Sequence, residues 1–398
     1  MATKTHLTRR EILTGAAGAA AAASLSGIAG CFPSVGGDWP EAGPDTSPTT
    51  CGCSGPDGGT GLGQTSSAGP VEGKAMVVTI QRNDSIDGKG LSKEPAQVSA
   101  VQNMVDAVLS ALAGGASNPW SKLLPDVGSC TRVGLKVNCL NAYFPTSPAI
   151  VRALVKSLVT KAGVCSGNII VWDRRLDELN DVGAYSADDL QGAKLLGTLD
   201  STSGQGKGPG YSSAGYGTIQ GTKPRLSRIL TEMTDVTINC PVFKVHGQTG
   251  VTAALKNVFG IIDCPGNFHS DSVKGQDVQT ALPAVYNIPS IRNSIKLTLV
   301  DALRAVASGD TSSMPNAQPG RIFASADPLA LDYYALDLMN EVRAARPRLM
   351  EPVSGKILDW MDNAYQLGLG TKGYKLVSLS SDGTPSSPDA AADSEGEG

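Results

Sequence analysis

A chain of 398 residues, 41% hydrophobic and 18% charged, is ample for a sizeable core, and its length alone permits two domains of ordinary size. The formal net charge is −4, and since the first 30 residues carry Lys4, Arg9 and Arg10 against Glu11, the remainder sits at −6. Without a long basic stripe, that balance argues against nucleic acid as a main partner.

At the N-terminus, Arg9 and Arg10 in "TRREIL" precede a charge-free run from Ile12 to Gly30 made mostly of Ala and Gly. This resembles a twin-arginine export signal, whose apolar stretch is weak; a membrane-spanning anchor is disfavoured because Ala and Gly give poor transfer energy. "IAGC" at Ile28 to Cys31 is similar to a lipoprotein processing site, with Ile where Leu is commoner. Residues 1–30 are then removed and Cys31 carries lipid. The expected location is the periplasm or cell envelope, with the export machinery and, through lipid on Cys31, the membrane as partners. Twin-arginine routes carry folded proteins, and a cofactor assembled before export is the usual reason. Residues 31–73 are rich in Pro, Gly, Ser and Thr, which makes them a tether. Cys51 and Cys53 in "CGC" could bind metal or pair with thiols, but such a pair is more often incidental. The acidic tail, 381–398, reads as disordered. Between them, 74–380 leaves roughly 300 residues, enough for one large α/β domain or two intimately packed halves.

Within this body, "KAMVVTIQ" (74–81) reads as a strand, and 95–115 as a helix whose stripe is Val98, Val101, Val105, Val108 and Leu112. "TRVGLKVN" (131–138) is a second strand; 147–163 is a helix with Pro148 near its start and Gly163 at its end. "NIIVWD", "DVTIN" (235–239), "IKLTLVDA" and "GRIFAS" supply the third to sixth strands, and the last leads into the helix "PLALDYYALDLMNEV". Apolar strands alternating with helices predict an α/β fold with a largely parallel sheet and helices on both faces.

In such sheets ligands bind beyond the carboxyl ends of the strands. There the sequence places Lys136, Asn138, Asp173, the run "CPVFKVH", Asp301 and Asp327. Asn and Asp at strand ends also commonly cap the following helix. "DRRLDEL" adds Arg174 and Arg175, either an anion clamp or simply solvated charges. The glycine-rich stretch 201–224 lacks phosphate-loop spacing and reads as a lid or surface excursion.

The chain has only three histidines, and His6 lies in the segment to be removed. His246 and His269 flank Lys256. "HGQTG" reads as a loop with Gly247 and Gly250, feeding a helix along which Val251, Leu255, Val258 and Ile262 form an apolar stripe. Unpaired amides at that helix start would receive an anion. Lys256 lies off the stripe, with Thr252, Ala253 and Gly260 leaving room for a ligand. A lysine on such a helix is usually solvated and a lone histidine usually structural, but His246, Lys256, Asn257 and His269 within 24 residues favour a site.

These residues resemble the domain of unknown function 362 family through "INCPVFKVHGQTGVTAALKNVFG", "FHSD", "LTLVDAL" and "IFASADPLALDYYAL" with Asp327, Pro328 and Asp332. "VGLKVN", "SPAIVRALVKSLVTKAG" and "NIIVWD" fit as well, so the likeness covers most of 74–345. Family members often carry a ferredoxin-like cysteine cluster, but Cys130, Cys139, Cys165, Cys240 and Cys264 show no C-x-x-C run. That argues against such an iron–sulfur cluster and leaves buried thiols or disulfides. The order His, ten residues, Lys, then a second His is also similar to nickel-dependent lactate racemase. That likeness implies a nickel-pincer-type cofactor tethered to Lys256, with histidine as ligand or proton carrier.

The expectation is a lipid-anchored, cofactor- or metal-dependent enzyme, of isomerase or redox type, acting on a small anionic molecule. His246, Lys256 and His269 are its catalytic candidates. Lys256, Asn257, Gly247, Gly250, Lys136 and Asn138 are candidates for holding a cofactor, and His269, His246, Asp301 and Asp327 for a metal. The alternative is a non-catalytic ligand-binding or redox-partner protein of the envelope.

Overall fold

In the computed structural model, which describes residues 69–86, 97–183, 185–200, 208–269, 277–346 and 350–386, alternating strands and helices build a ten-stranded sheet. In chain order come β1 (Ala75–Gln81), α1 (Val98–Leu112), β2 (Val133–Lys136), α2 (Pro148–Ser157), β3 (Ile169–Arg175), β4 (Lys194–Leu199), β5 (Val236–Asn239), β6 (Val242–His246) and β7 (Gly250–Thr252). Then follow α3 (Val278–Tyr286), α4 (Pro289–Ser294), β8 (Ile295–Val306), β9 (Arg321–Ser325), α5 (Pro328–Ala344), α6 (Asp359–Gln366) and β10 (Tyr374–Leu379). Across the sheet the order is β10-β1-β9-β8-β5-β2-β3-β4, with β6 on β8 and β7 on β6. The pairs are parallel except those of β9 with β1 and β8, and of β6 with β7. The sheet is therefore largely parallel, as the strand-helix alternation predicts.

Each face carries its own apolar core. On one, α1 and α2 bury Val101, Met104, Val105, Val108, Ile150 and Leu154 against Val133, Leu135 and Val171. On the other, α3, α5 and the β6–β7 hairpin gather Phe243, Val251, Leu282, Phe323 and Leu338. Fully burying one such side chain contributes about 1.5–3 kcal/mol. Val98, counted in the α1 stripe from sequence, instead opens the helix and is 43% exposed. Local signals fix the helix ends: Ser147 Oγ accepts from Ala149 N with Pro148 at the first position. Asp327 does the same for α5, taking Ala330 N at 2.8 Å.

One feature of the sheet sets up the site. Pro241 interrupts the strand after β5, yet its carbonyl still accepts Asp301 N, and the chain continues as β6 alongside the second half of β8. The β6–β7 hairpin thus projects past the carboxyl ends of β2, β3 and β5. Four strands were not anticipated: β4, β6, β7 and β10. In β4 the glycine is required by packing, because a Cβ on Gly197 would lie 2.2 Å from Leu176 N; that glycine also hides the strand from a propensity reading.

The export signal, the processing site, the "CGC" pair and residues 87–96 and 201–207 lie outside the described residues, as do the tether up to residue 68 and the tail from 387. Val71 bridges to Thr371, and Ser386 N donates to Ser378 O, so the folded body extends slightly beyond both expected boundaries. Among the described residues no helix is long and apolar enough to cross a membrane.

Candidate functional site

Three parallel strands deliver polar groups to one edge. At the end of β2, Lys136 Nζ donates to Asp173 Oδ1 of β3 at 2.6 Å and to Val137 O at 2.7 Å. Asp173 also accepts Cys139 N and Arg174 N, so its charge is fully met. A Cβ on Gly260 would lie 2.8 Å from Lys136 Nζ, so this glycine lets the backbone after Lys256 settle on the ion pair. Lys136, expected to hold a cofactor, is instead a buried structural partner of Asp173.

The segment from His246 to Ile262 is not the expected loop and helix. His246 ends β6, Gly250 begins β7, and Lys256–Gly260 forms a short 3-10 turn. Every residue from Thr249 to Phe259 is buried, so a helical stripe cannot be told apart from an all-round apolar environment. No long helix opens here, and the anion site expected at its start is absent. Gly250 serves the hairpin at φ 71°, where a Cβ would meet Val353 Cγ1 at 2.5 Å, and Gly247 faces open space.

The hairpin nevertheless brings the expected nitrogens together. Lys256 Nζ lies 3.2 Å from His269 Nε2 and 3.9 Å from the centre of the Phe259 ring. The His246 and His269 rings stack with centroids 5.6 Å apart. His269 Nδ1 lies 3.0 Å from Pro265 O. A carbonyl only accepts, so Nδ1 carries the proton and the Nε2 lone pair of a neutral ring faces the lysine. His246 has the opposite tautomer: its Nδ1 accepts Gln248 N at 3.0 Å, leaving the proton on Nε2. Burial, then the charges of Lys256 and His269, push His246 well below its ordinary range, so it stays a neutral donor.

Behind the imidazoles lies a directed amide chain. Lys244 Nζ donates to Asn138 Oδ1 at 3.2 Å, Asn138 Nδ2 to Asn257 Oδ1 at 2.9 Å, Asn257 Nδ2 to Asn239 Oδ1 at 2.8 Å, and Asn239 Nδ2 to Ala254 O at 3.0 Å. Asn138 and Asn257 are thus in the site, locked in orientation by neighbours. On the far side, Asp332 of α5 accepts Ala254 N at 2.7 Å and Leu255 N at 3.0 Å, fixing the approach to Lys256. Burial pushes Asp332 up to about 7.

Lys244 is the residue the sequence reading missed. Neither it nor Lys256 has a carboxylate partner among the described residues, in contrast to Lys136. Burial pushes Lys244 down to about 8, with Asp173 opposing, and burial together with Lys244 pushes Lys256 down to about 7. The available signal was the two-residue spacing of Lys244 and His246 in "VFKVH", which puts both on one face of a strand.

Asp301 and Asp327, expected to join the histidines around a metal, point elsewhere. Asp301 accepts Ser147 N at 2.7 Å and Leu303 N at 3.1 Å, while Asp327 caps α5 and accepts Thr371 N at 2.8 Å. Both satisfy backbone donors, the common alternative for carboxylates after strands. Among the described residues no group of three or more His, Cys, Asp or Glu gathers to hold a metal. Arg174 donates to Tyr211 and Asp263 O, and Arg175 to Glu178, so neither guanidinium is simply solvated. Cys139 and Cys240 are buried free thiols; Cys130, Cys165 and Cys264 are disulfide-bonded.

The model of a family described as a domain of unknown function, DUF362, matches residues 133–337. The chain belongs to this family. The DUF362 match spans β2 to the middle of α5 and includes every residue of the Lys244–Lys256–His269 site. Among solved structures, the lactate racemase apoprotein from Thermoanaerobacterium thermosaccharolyticum is similar at 12% identity and TM-score 0.40, over 66% of this chain and 59% of that one. A protein from Thermotoga maritima is similar at 13% identity and TM-score 0.38, over 61% of this chain and 59% of that one. The chain therefore spans 59% of the length of each. No curated protein matches it.

Proposed function

We propose that this protein is an exported, lipid-anchored enzyme of the cell envelope, of isomerase or redox type, that acts on a small anionic molecule through covalent chemistry at Lys256. The observation that carries the reading is the 3.2 Å contact between His269 Nε2 and a buried lysine amine that meets no carboxylate among the described residues. An amine pushed down to about 7 is substantially uncharged, hence nucleophilic, at neutral pH. Its nitrogen lone pair attacks a carbonyl carbon, the C–O π pair moves to oxygen, and the surplus nitrogen proton passes to His269 Nε2. With an aldehyde or ketone, the His269 proton and the remaining nitrogen proton go to that oxygen, which leaves as water as the carbon–nitrogen double bond to Lys256 forms; with an acyl donor, the oxygen pair re-forms the carbonyl and the leaving group departs with the His269 proton, giving an amide. His246, neutral and with its proton on Nε2, donates a hydrogen bond into the same space.

The same donors fit a cofactor tethered through the lysine. Lys256 would hold it, and His269, 3.2 Å away, would be the metal ligand. Such a group, when bound, would supply the metal-centred chemistry that side chains lack. The disulfide-bonded cysteines support an oxidising compartment and hence export.

The test uses full-length protein isolated through its own export route. Intact mass and elemental analysis report any group already on Lys256. Unmodified protein is treated with glyoxylate or pyruvate and borohydride, which reduces an imine to a stable amine. The expected result is a single adduct mapping to Lys256, absent in Lys256→Met and slowed in His269→Gln. A native chain without any group on Lys256, and trapping no faster there than at the exposed Lys296, would refute the reading.

A further inference from the structure

The face of the hairpin that carries His246 holds two more polar groups the covalent chemistry leaves unused. In the antiparallel β6–β7 pair, Lys244 stands directly opposite Thr252 and His246 opposite Gly250. Directly opposed residues share a face, and residues two apart on one strand share it as well. Lys244, His246 and Thr252 therefore project to one side, while Phe243, Val245 and Val251 pack into the core on the other. Thr252 is 3% exposed, and among the described residues its Oγ1 has no hydrogen-bond partner. Lys244 is 2% exposed and, among the same residues, uses one of its three donors, on a neutral amide oxygen.

A buried hydroxyl and a buried ammonium left incomplete side by side are costly, since each gives up water without full replacement. The neighbouring carboxylates do not complete them. Asp173 is taken by Lys136 and two backbone amides, and Glu178 is paired with Arg175. What completes both groups is one acceptor with at least two oxygens and a negative charge.

We propose that Lys244 and Thr252 form an oxyanion subsite that takes the carboxylate or phosphate of the molecule reacting at Lys256. Lys244 supplies charge and two free donors; Thr252 supplies a hydroxyl from the adjacent strand. This deepens the proposed function by naming the handle that orients the substrate, and it rests on that reading for the identity of the reacting neighbour. The amide chain from Asn138 to Ala254 O then has a role, since it holds the Lys244 amine in place from behind.

Thermal melting of the full chain at constant ionic strength, titrated with inorganic phosphate or with acetate, tests the subsite without requiring turnover. Wild-type protein is expected to gain stability with one anion or both, which also tells phosphate from carboxylate. Lys244→Met is expected to weaken that affinity about 10-fold or more, and Thr252→Val, nearly isosteric, by about 3- to 10-fold. Lys296→Met, on the exposed surface, is expected to change nothing. No anion-dependent shift in wild type, or equal affinity in Lys244→Met and Thr252→Val, would overturn the subsite; Thr252→Val carries the test alone if Lys244→Met does not fold. Borohydride trapping at Lys256 that fails while the anion response is lost in Lys244→Met refutes the covalent reading and leaves the subsite standing. The reverse pattern does the opposite.

Discussion

Two groups of buried lysines lie along the same sheet edge, and they teach different things. Lys136 is closed off: its ammonium meets Asp173 at 2.6 Å, and Gly260 is packed onto the pair. Lys244 and Lys256 are also buried but, among the described residues, meet an amide oxygen, an imidazole and an aromatic face and no carboxylate. A buried charge is tolerated when a counter-charge and hydrogen bonds complete it. Where they do not, the fold carries a cost. Burial alone therefore does not single out a lysine as a candidate for chemistry; on the proposed reading, burial without a carboxylate does.

The sharpest way to break this contrast is Asp173→Ala. It strands the Lys136 ammonium and frees Cys139 N and Arg174 N, so urea unfolding is expected to show a loss of about 3–5 kcal/mol. A loss below about 1 kcal/mol would mean that Lys136 is no better paired than its neighbours. Next in size is Asp332→Ala, which removes the acceptor for Ala254 N and Leu255 N. A loss of about 2–3 kcal/mol is expected, with slower trapping at Lys256 because the turn that presents it loosens.

Smaller, and opposite in sign, are Lys256→Met and Lys244→Met. Replacing a buried ammonium that meets no carboxylate among the described residues by an apolar chain of similar length is expected to leave stability unchanged or raise it by about 1–2 kcal/mol. A loss as large as that of Asp173→Ala would erase the distinction. The pH dependence of this gain separates charge from packing. The unfolded lysine ionises at about 10.4, whereas burial, with Lys244 nearby, pushes folded Lys256 down to about 7. Below the folded value both states carry the proton and the full burial cost is present. Between the two values the unfolded chain binds more protons, so stability rises with pH. The advantage of Lys256→Met over wild type should therefore be largest in mild acid and fade as pH approaches the unfolded value. A gain independent of pH would show that packing, not charge, is its source.

Much of the fold was legible because its strands are apolar runs and its helices carry strong end signals, Ser147-Pro148 and Asp327-Pro328 among them. The site was legible as a neighbourhood: His246, Lys256, Asn257 and His269 do converge, with Asn138 joining from β2. Its local form was not. Residues 249–259 are buried throughout, so apolar spacing there reports burial and says nothing of periodicity. Pro241 obscured the continuation of β5 into β6, and with it the two-residue alternation that places Lys244 beside His246. Asp301 and Asp327 were misjudged because a carboxylate after a strand looks the same in sequence whether it meets a ligand or a backbone amide. Which lysine has a counter-charge depends on Asp173, 37 residues from Lys136 along the chain, a pairing that only the sheet reveals.

Among the described residues Lys256 is a buried amine that meets no carboxylate, and its own titration is the decisive measurement. The acetylation rate of each lysine in the native chain, followed against pH by peptide mass spectrometry, gives a separate midpoint for Lys256. The account predicts half-ionisation at about 7 for Lys256. A midpoint at about 10.4, where an unburied lysine side chain ionises, would overturn it.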